Sequence, residues 1–405
     1  MRPREALWIE WKIALRFLAD NPMQTLLIMV GIGVGAAVIV FITALIGGLQ
    51  ANVIQRTLGT QAHIRILPPD EVNRVPPPAG ALALDLASPR AQRLRTIVNW
   101  QDVRDALDRR AELAAVSPQI GGPAIARRGV ARASVNLLGI DAARYQRIIP
   151  IADDLIAGRF LIDAGHAVIG SQLAEDLGLG IGDKLRLDAG QGREAVVDIA
   201  GIFRLEVREL DTRNVYLDLK QAQTLLDLPG GVTVIETTVG EIFQAEAIAE
   251  RLARLTGLKA ESWMATNGQL LNALRSQTMT TRMIRLFVGL SVAFGIASVL
   301  AVSVVQRTRE IGILRAMGSP RGQILRVFLL QGGLLGLGGS ALGSLVGWSL
   351  VAVFNRFGPG LFYIPLDPAL IPTAVAVSTV TGVLAAAAPA RRAARYDPAV
   401  AIRYV

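Results

Sequence analysis

The chain has 405 residues, of which 52% are hydrophobic and 19% charged, and a formal net charge of +9. That balance is too apolar for an ordinary soluble protein and too charged for one lying wholly in a bilayer, so the apolar residues must be unevenly spread. Cysteine is absent, which excludes disulfides, thiolate metal sites and a cysteine nucleophile. The basic excess is better explained by membrane orientation than by nucleic acid. His63 and His166 lie far apart, with no acidic partner at ligand spacing, and read as ordinary surface or half-buried residues.

The first element is an amphipathic helix over 1–21. Leu7, Trp8, Trp11, Leu15 and Leu18 recur at helical spacing, while Glu5, Lys12, Arg16 and Asp20 occupy other faces. Such a helix lies in the interface with its tryptophans at headgroup depth. Asn21-Pro22 then turns the chain. Residues 22–50 carry no charge and are long enough to cross a hydrocarbon core about 30 Å thick. The run is too long for a signal-peptide core and reads as a retained first span.

Residues 51–283 are too many for a loop and form a folded α+β domain. AHIRIL is a strand and LPPDEVNRVPPPAG an exposed proline-rich loop. Asn99 is placed to cap the helix WQDVRDALDRRAEL, and strands flank the turn RRGVAR. AVIGSQLAEDLGLGIGDKLRL reads as strand, short helix, glycine turn, strand. AVVDIAGIF, residues 214–219 and the helix LKQAQTLLDL follow. VTVIETTV, EIFQAEAIAERLARLTG and LKAESW complete a strand–helix–strand unit. Two subdomains are expected, roughly 51–120 with 228–275, and 121–227. Gly178, Gly180 and Gly182 imitate a phosphate loop, but they open no helix and Asp183 would repel a phosphate, so a turn is the better reading. No G-x-x-x-x-G-K-[ST] sequence occurs, and no nucleophile–base or paired-carboxylate motif marks a catalytic site.

Three further spans follow, at 284–305, 324–353 and 369–388. The second opens with Arg285 and is uncharged from Leu286 onward. The fold class is therefore a membrane α-helical protein with four transmembrane helices and a large α+β extracytoplasmic domain inserted between helices 1 and 2. Arginines and lysines set the orientation. Arg2, Arg4, Lys12 and Arg16 precede the first span. Arg307, Arg309, Arg315, Arg321 and Arg326 lie in the segment 306–326, which reaches the start of the third span, and Arg391, Arg392, Arg395 and Arg403 in the tail 389–405. The loop 354–368 holds only Arg356. Both termini and 306–323 are expected in the cytoplasm, with 354–368 and 51–283 outside. Within the spans, Gly31/Gly35, Gly332/Gly336 and Gly339/Gly343 are small-xxx-small pairs suited to helix packing.

The segment 306–323 is a charged helix held between two apolar runs. Ile311, Leu314 and Arg315 share one side, Ile313 and Met317 are four apart, and Gly318 fits the position just past a helix end. Ser319-Pro320 suits the N-cap and first residue of the next helix. On physics alone it either enters a groove of a soluble partner or rests on headgroups.

RTREIGILRAMGSPRGQI resembles the cytoplasmic segment of permeases in the MacB/FtsX superfamily, which includes the LolC/LolE lipoprotein-releasing permeases. The tail PARRAARYDPAVAIRY, the block VIGSQLAEDLGLGIGDKLRL with VDIAGIF, and the element order are similar too. The resemblance implies a permease subunit in the inner membrane of a bacterium. It implies two copies of a separate ABC-type ATPase subunit, which bind the ATP and Mg, and a second permease copy or paralogue. This chain would hold no cofactor and no metal. Carried over by position, Glu310, Ile311, Leu314, Arg315 and Met317 would contact the ATPase, and Gly312 and Gly318 would permit close approach. Spans one and two, continued as stalks such as 269–283, would transmit force to a lipid-linked cargo such as lipoprotein. Membrane lipid and a periplasmic adaptor are further implied partners. In LolC-like relatives an extended hairpin joins the strands corresponding to KLRLD and AVVDIAGIF, whereas AGQGRE is short. A MacB-like exporter of peptide, glycolipid or small molecule, and an FtsX-like signalling scaffold, are the competing readings.

Overall fold

The computed structural model describes residues 3–69, 95–358, 360, 362–365 and 368–396. Most of the proline-rich loop, Arg2, Arg403 and the end of the tail lie outside these residues. In chain order the elements are α1 (Pro3–Ala19), α2 (Pro22–Gly59), β1 (Ile64–Leu67), α3 (Trp100–Asp108), β2 (Leu113–Arg128), β3 (Ala131–Ile140), α4 (Ala142–Tyr145), β4 (Leu155–Gly158), β5 (His166–Gly170), α5 (Ser171–Leu177), β6 (Lys184–Asp188), β7 (Glu194–Phe203), α6 (Arg208–Arg213), β8 (Asn214–Asp218), α7 (Leu219–Leu225), β9 (Val234–Val239), α8 (Ala245–Thr256), β10 (Lys259–Ser262) and α9 (Trp263–Thr266). Then come α10 (Gly268–Gln306), α11 (Thr308–Ala316), α12 (Arg321–Phe357) and α13 (Leu370–Arg395). Two compact units result, Met1–Ile54 with Asn272–Val405, and Gln55–Leu271.

In the helical unit, α2, α10, α12 and α13 are long and apolar enough to cross a membrane, at 38, 39, 37 and 26 residues. At about 1.5 Å per residue the three longest reach roughly 55 Å, well beyond the hydrocarbon core. The helices therefore outrun the apolar stretches that announce them. The polar start of α10, GQLLNALRSQTM, consists largely of good helix formers, so nothing stops the helix where the hydrophobicity ends. Gln50 holds it there, with Nε2 donating to the Leu274 carbonyl at 3.4 Å. Proline at the first position of α2 lets the helix start directly after Asn21. Trp8, Trp11 and Leu15 of α1 are exposed while Ala14 and Phe17 are buried.

The other unit is built on one mixed sheet in the order β10-β1-β9-β2-β3-β8-β5-β7-β4, with β6 pairing β2 and β7. The 16-residue β2 is the seam. Its first half pairs with β9 and its second half with β3, from Gln119 opposite Ile140 to Arg128 opposite Ala131. The β2–β3 turn is two residues long because Gly129 accepts φ +58°, which matches the strand twist. One hydrophobic cluster joins Ile64, Trp100, Leu107, Ile248 and Trp263, and another joins Ile120, Leu137, Leu173, Leu185 and Val215. A third cluster, with Ala62, Ala115, Ile140, Tyr145, Phe203 and Tyr216, draws on both sequence blocks, and the sheet likewise runs through both. Helix α3 stops at Asp108, short of Leu113, because Leu113 is already the first residue of β2, and Asn99 makes no side-chain cap bond.

Candidate functional site

The charged segment folds as α11, which is shorter than 306–323. Its end is a Schellman motif: the Ser319 N–H donates to the Leu314 carbonyl at 3.1 Å and the Gly318 N–H to the Arg315 carbonyl at 3.1 Å. Gly318 has φ +96°, a conformation that glycine adopts without strain. The next helix starts one residue later than Ser319-Pro320 suggests. Pro320 is extended at the N-cap and Arg321 is the first helical residue, since Ser319 is used in closing α11.

The burial of α11 divides the expected contact residues between an inward and an outward side. Ile311 is fully buried and packs in a cluster with Ala14, Phe17, Ile324, Phe328 and Ala390, with Leu314 partly buried beside it. Gly312 is buried as well. Arg315 is half-buried and Nη1 donates to the Ala394 carbonyl at 2.7 Å, near the C-terminus of α13, where a cation is favoured. Ile311 and Gly312, expected at the ATPase, thus face the helical unit itself. Arg309, Glu310, Ile313, Ala316, Met317 and Gly318 remain at the surface, with Met317 71% exposed.

Two ion pairs fix this end of the unit, and neither was legible as a pair. Arg307 is buried between α10 and α11. It donates to Asp20 Oδ2 and the Phe17 carbonyl, each at 2.9 Å, and its guanidinium lies 4.4 Å from the Phe17 ring centroid. Glu10 is fully buried and accepts from Arg326 Nε and Nη2 at 2.6 to 3.0 Å. In the sequence Arg307 and Arg326 counted only toward orientation, and Glu10 was not singled out. Sequence could have flagged Glu10, the one acid among the apolar positions facing the bundle.

The span glycines divide into two faces of α12. Gly332 and Gly336 meet α13 at Gly382, Ala386, Ser378 and Thr379, while Gly339 and Gly343 meet α2 at Met29, Ile32, Gly33 and Ala36. A Cβ on Gly343 would come within 2.2 Å of the Gly33 carbonyl oxygen. On α2 the contact is made by Gly33, which the i, i+4 pairing passed over. Gly31 is exposed with no neighbour, and Gly35 turns instead to Val292 and Val288 of α10.

In the mixed unit, residues 178–182 form the expected turn. Asp183 accepts from the Gly180 N–H at 2.9 Å and pairs with Arg128. His63 Nδ1 accepts from the Val239 N–H, and burial lowers its pKa. His166 does have an acidic partner, Asp163, three residues earlier in the turn before β5. Glu236 is buried on β9, and burial pushes its carboxyl up to about 7 although Arg65 lies 3.7 Å away. With its amide nitrogen turned to Glu236, Gln119 donates to both carboxylate oxygens at 3.1 and 3.0 Å. Neither Glu236 nor Gln119 was singled out in the sequence.

A profile of the MacB-like periplasmic core domain matches residues 25–255, and one of the FtsX-like permease C-terminal domain matches 282–398. The chain belongs to the MacB/FtsX superfamily of permeases. The lipoprotein-releasing system transmembrane protein LolC of Neisseria meningitidis serogroup B is 22% identical over 435 residues, covering 98% of this chain and 99% of LolC. The macrolide export ATP-binding/permease protein MacB of Escherichia coli is 25% identical over 419 residues, covering 99% of this chain and 61% of MacB. A crystal structure of the periplasmic region of MacB from Actinobacillus actinomycetemcomitans aligns at 14% identity and TM-score 0.37, covering 54% of this chain and 96% of that one. As a member of the MacB/FtsX superfamily, the chain is a permease subunit of an ABC-type transporter that works with an ATPase.

Proposed function

We propose that this permease sits in a bacterial inner membrane with both termini cytoplasmic. There it converts ATP hydrolysis by two copies of a separate ATPase into extraction of a lipid-linked cargo such as lipoprotein. It does so beside a second permease copy or paralogue. The observation that carries this reading is the end-to-end match with LolC, which covers 99% of that lipoprotein-releasing protein, against 61% of the ATP-binding/permease protein MacB. The ATPase-facing surface is Arg309, Glu310, Ile313, Met317 and Gly318, with the exposed edge of Leu314. Ile311, Gly312 and Arg315 brace that surface from behind. Motion received there passes along α2 and α10, whose lengths suit mechanical transmission.

One observation favours a second reading. The β6–β7 connection is a tight turn, closed by the Ala189 N–H on the Arg193 carbonyl at 3.0 Å, with positive φ at Gly190, Gln191 and Gly192. It leaves no hairpin for a soluble lipoprotein carrier, which suits a MacB-like exporter working through an adaptor. Gentle purification from the native membrane, followed by mass spectrometry of what accompanies the chain, separates the two. An ATPase with a sibling permease or lipoprotein supports extraction. An ATPase with a periplasmic adaptor supports export. No ATPase even after mild cross-linking would overturn both.

A further inference from the structure

Arg285 stands among residues that otherwise belong in hydrocarbon. It lies in α10 at the head of the run 284–305, with an exposed side chain. Its Nε donates to Thr43 Oγ1 of α2 at 3.0 Å, and among the described residues no carboxylate pairs with it. The guanidinium borders a cleft of about 180 Å³ between α2, α10 and α13, lined by apolar side chains including Ile39, Val292, Leu370, Ala374 and Val377. Gly35 packs against Val292 and Val288, which closes the seam between α2 and α10 on one side of this cleft.

Depth identifies the ligand class. Thr43 lies about 32 Å along α2 from Pro22 at 1.5 Å per residue, so Arg285 is close to the far boundary of a core about 30 Å thick. Leu370, the first residue of α13, lines the same cleft. At that level the chain offers a cation with only a neutral partner and, beside it, a hydrocarbon slot. A charge at such a depth is stable only when it is paired or hydrated, and a guanidinium matches a phosphate bidentately. Thr43 holds Nε, which leaves the two terminal nitrogens free to face an anion.

We propose that this cleft holds one glycerophospholipid of the leaflet at that end, its phosphate on Arg285 and part of one acyl chain against Ile39, Val292, Ala374 and Val377. The occupant is a resident lipid, and the assignment does not depend on which cargo the permease moves. Arg285 is the binding residue and Thr43 a positioning residue.

The test uses the full chain in mild detergent, supplied with phosphatidylglycerol and read by native mass spectrometry. The wild type should retain one lipid per chain. Arg285→Gln should lower retention about tenfold or more, the size expected for losing a charge-assisted hydrogen bond. Val377→Trp should lower it too by filling the slot, and Val377 is 64% exposed, so the change leaves the fold intact. Arg285→Lys should retain lipid at an intermediate level, which keeps the test decisive if Arg285→Gln is poorly folded. Equal retention by wild type, Arg285→Gln and Arg285→Lys would overturn the site. Displacement by inorganic phosphate alone, with Val377→Trp still binding lipid, would overturn the acyl slot.

Discussion

Arg307 is 5% exposed and makes three contacts with the end of α1 through one guanidinium: Asp20, the Phe17 carbonyl and the Phe17 ring. Asp20 is itself exposed, so removing Arg307 leaves no buried charge behind, and the loss is chiefly that of its charged hydrogen bond to the Phe17 carbonyl, roughly 1.5–3 kcal/mol. Arg307→Leu is therefore expected to lower the thermal midpoint of the detergent-solubilised chain by several degrees, and Arg307→Lys only partly to restore it, since an ammonium cannot reach Asp20 and the carbonyl in the same fork. A midpoint equal to wild type in both would mean the pair contributes nothing. Glu236 makes a different statement. Its carboxyl is raised from about 4.5 to about 7 in the folded chain, first by burial. The folded state then binds the proton more tightly than the unfolded state, so this stabilisation is complete below about pH 4.5. It is lost as pH rises through about 7, and amounts to roughly 3 kcal/mol. Glu236→Gln, which keeps the shape and the pairing with Gln119, should flatten that slope. Thermal midpoints of both forms between pH 4.5 and 8 decide it, and parallel slopes would remove Glu236 as the cause.

At the scale of elements, helical spacing divides α11 into two sides but cannot say which side turns inward. The residues that decide this are Ala14 and Phe17 on α1, Ile324 and Phe328 on α12, and Ala390 on α13, all remote in sequence. Local signals read better. Gly318 ends its helix by a left-handed residue and Asn21-Pro22 separates α1 from α2, because each depends on a few adjacent residues. The α2 stretch GIGVG shows where local reading stops: Gly31, Gly33 and Gly35 are equally small, and only the position of α12 selects Gly33. Gly343→Leu should consequently force α2 from α12 and lower the yield of folded protein. Overpacking of this kind usually costs 1–3 kcal/mol or more. Gly31→Ala should be neutral or slightly stabilising, since nothing lies within 4 Å of its Cβ position. Size-exclusion profiles and thermal midpoints of the two variants provide the comparison, and a Gly343→Leu protein as stable as wild type would contradict the close approach.

For the whole molecule, the helical unit carries its own record of direction. Arg307 pairs with Asp20, Arg315 with the end of α13, and Arg326 with Glu10, so the end of α1, α11, the start of α12 and the end of α13 meet at one end. At the other, Asn355 exchanges hydrogen bonds with the Ile364 backbone, and Gly48 lies against Ile364. Arginines concentrate at the first end and are sparse in the loop at the second, which by the positive-inside rule supports the proposed placement of the first end in the cytoplasm. The chain contains no cysteine, so a single introduced thiol is the only one present. Met317→Cys and Tyr363→Cys replace side chains that are each 71% exposed, one at either end. In intact cells a membrane-impermeant maleimide should label Tyr363→Cys and leave Met317→Cys unlabelled until the membrane is opened. The reverse pattern would invert the topology and take the ATPase-facing role of α11 with it. Once the membrane is open, the partner ATPase should protect Met317→Cys from the same reagent. The charge-reversing Glu310→Arg should weaken that protection, while Ile311→Ala should instead lower stability, as a buried aliphatic truncated to alanine usually does by 2–5 kcal/mol. If Ile311→Ala released the ATPase from a fully stable permease, the inward face of α11 would have been assigned wrongly.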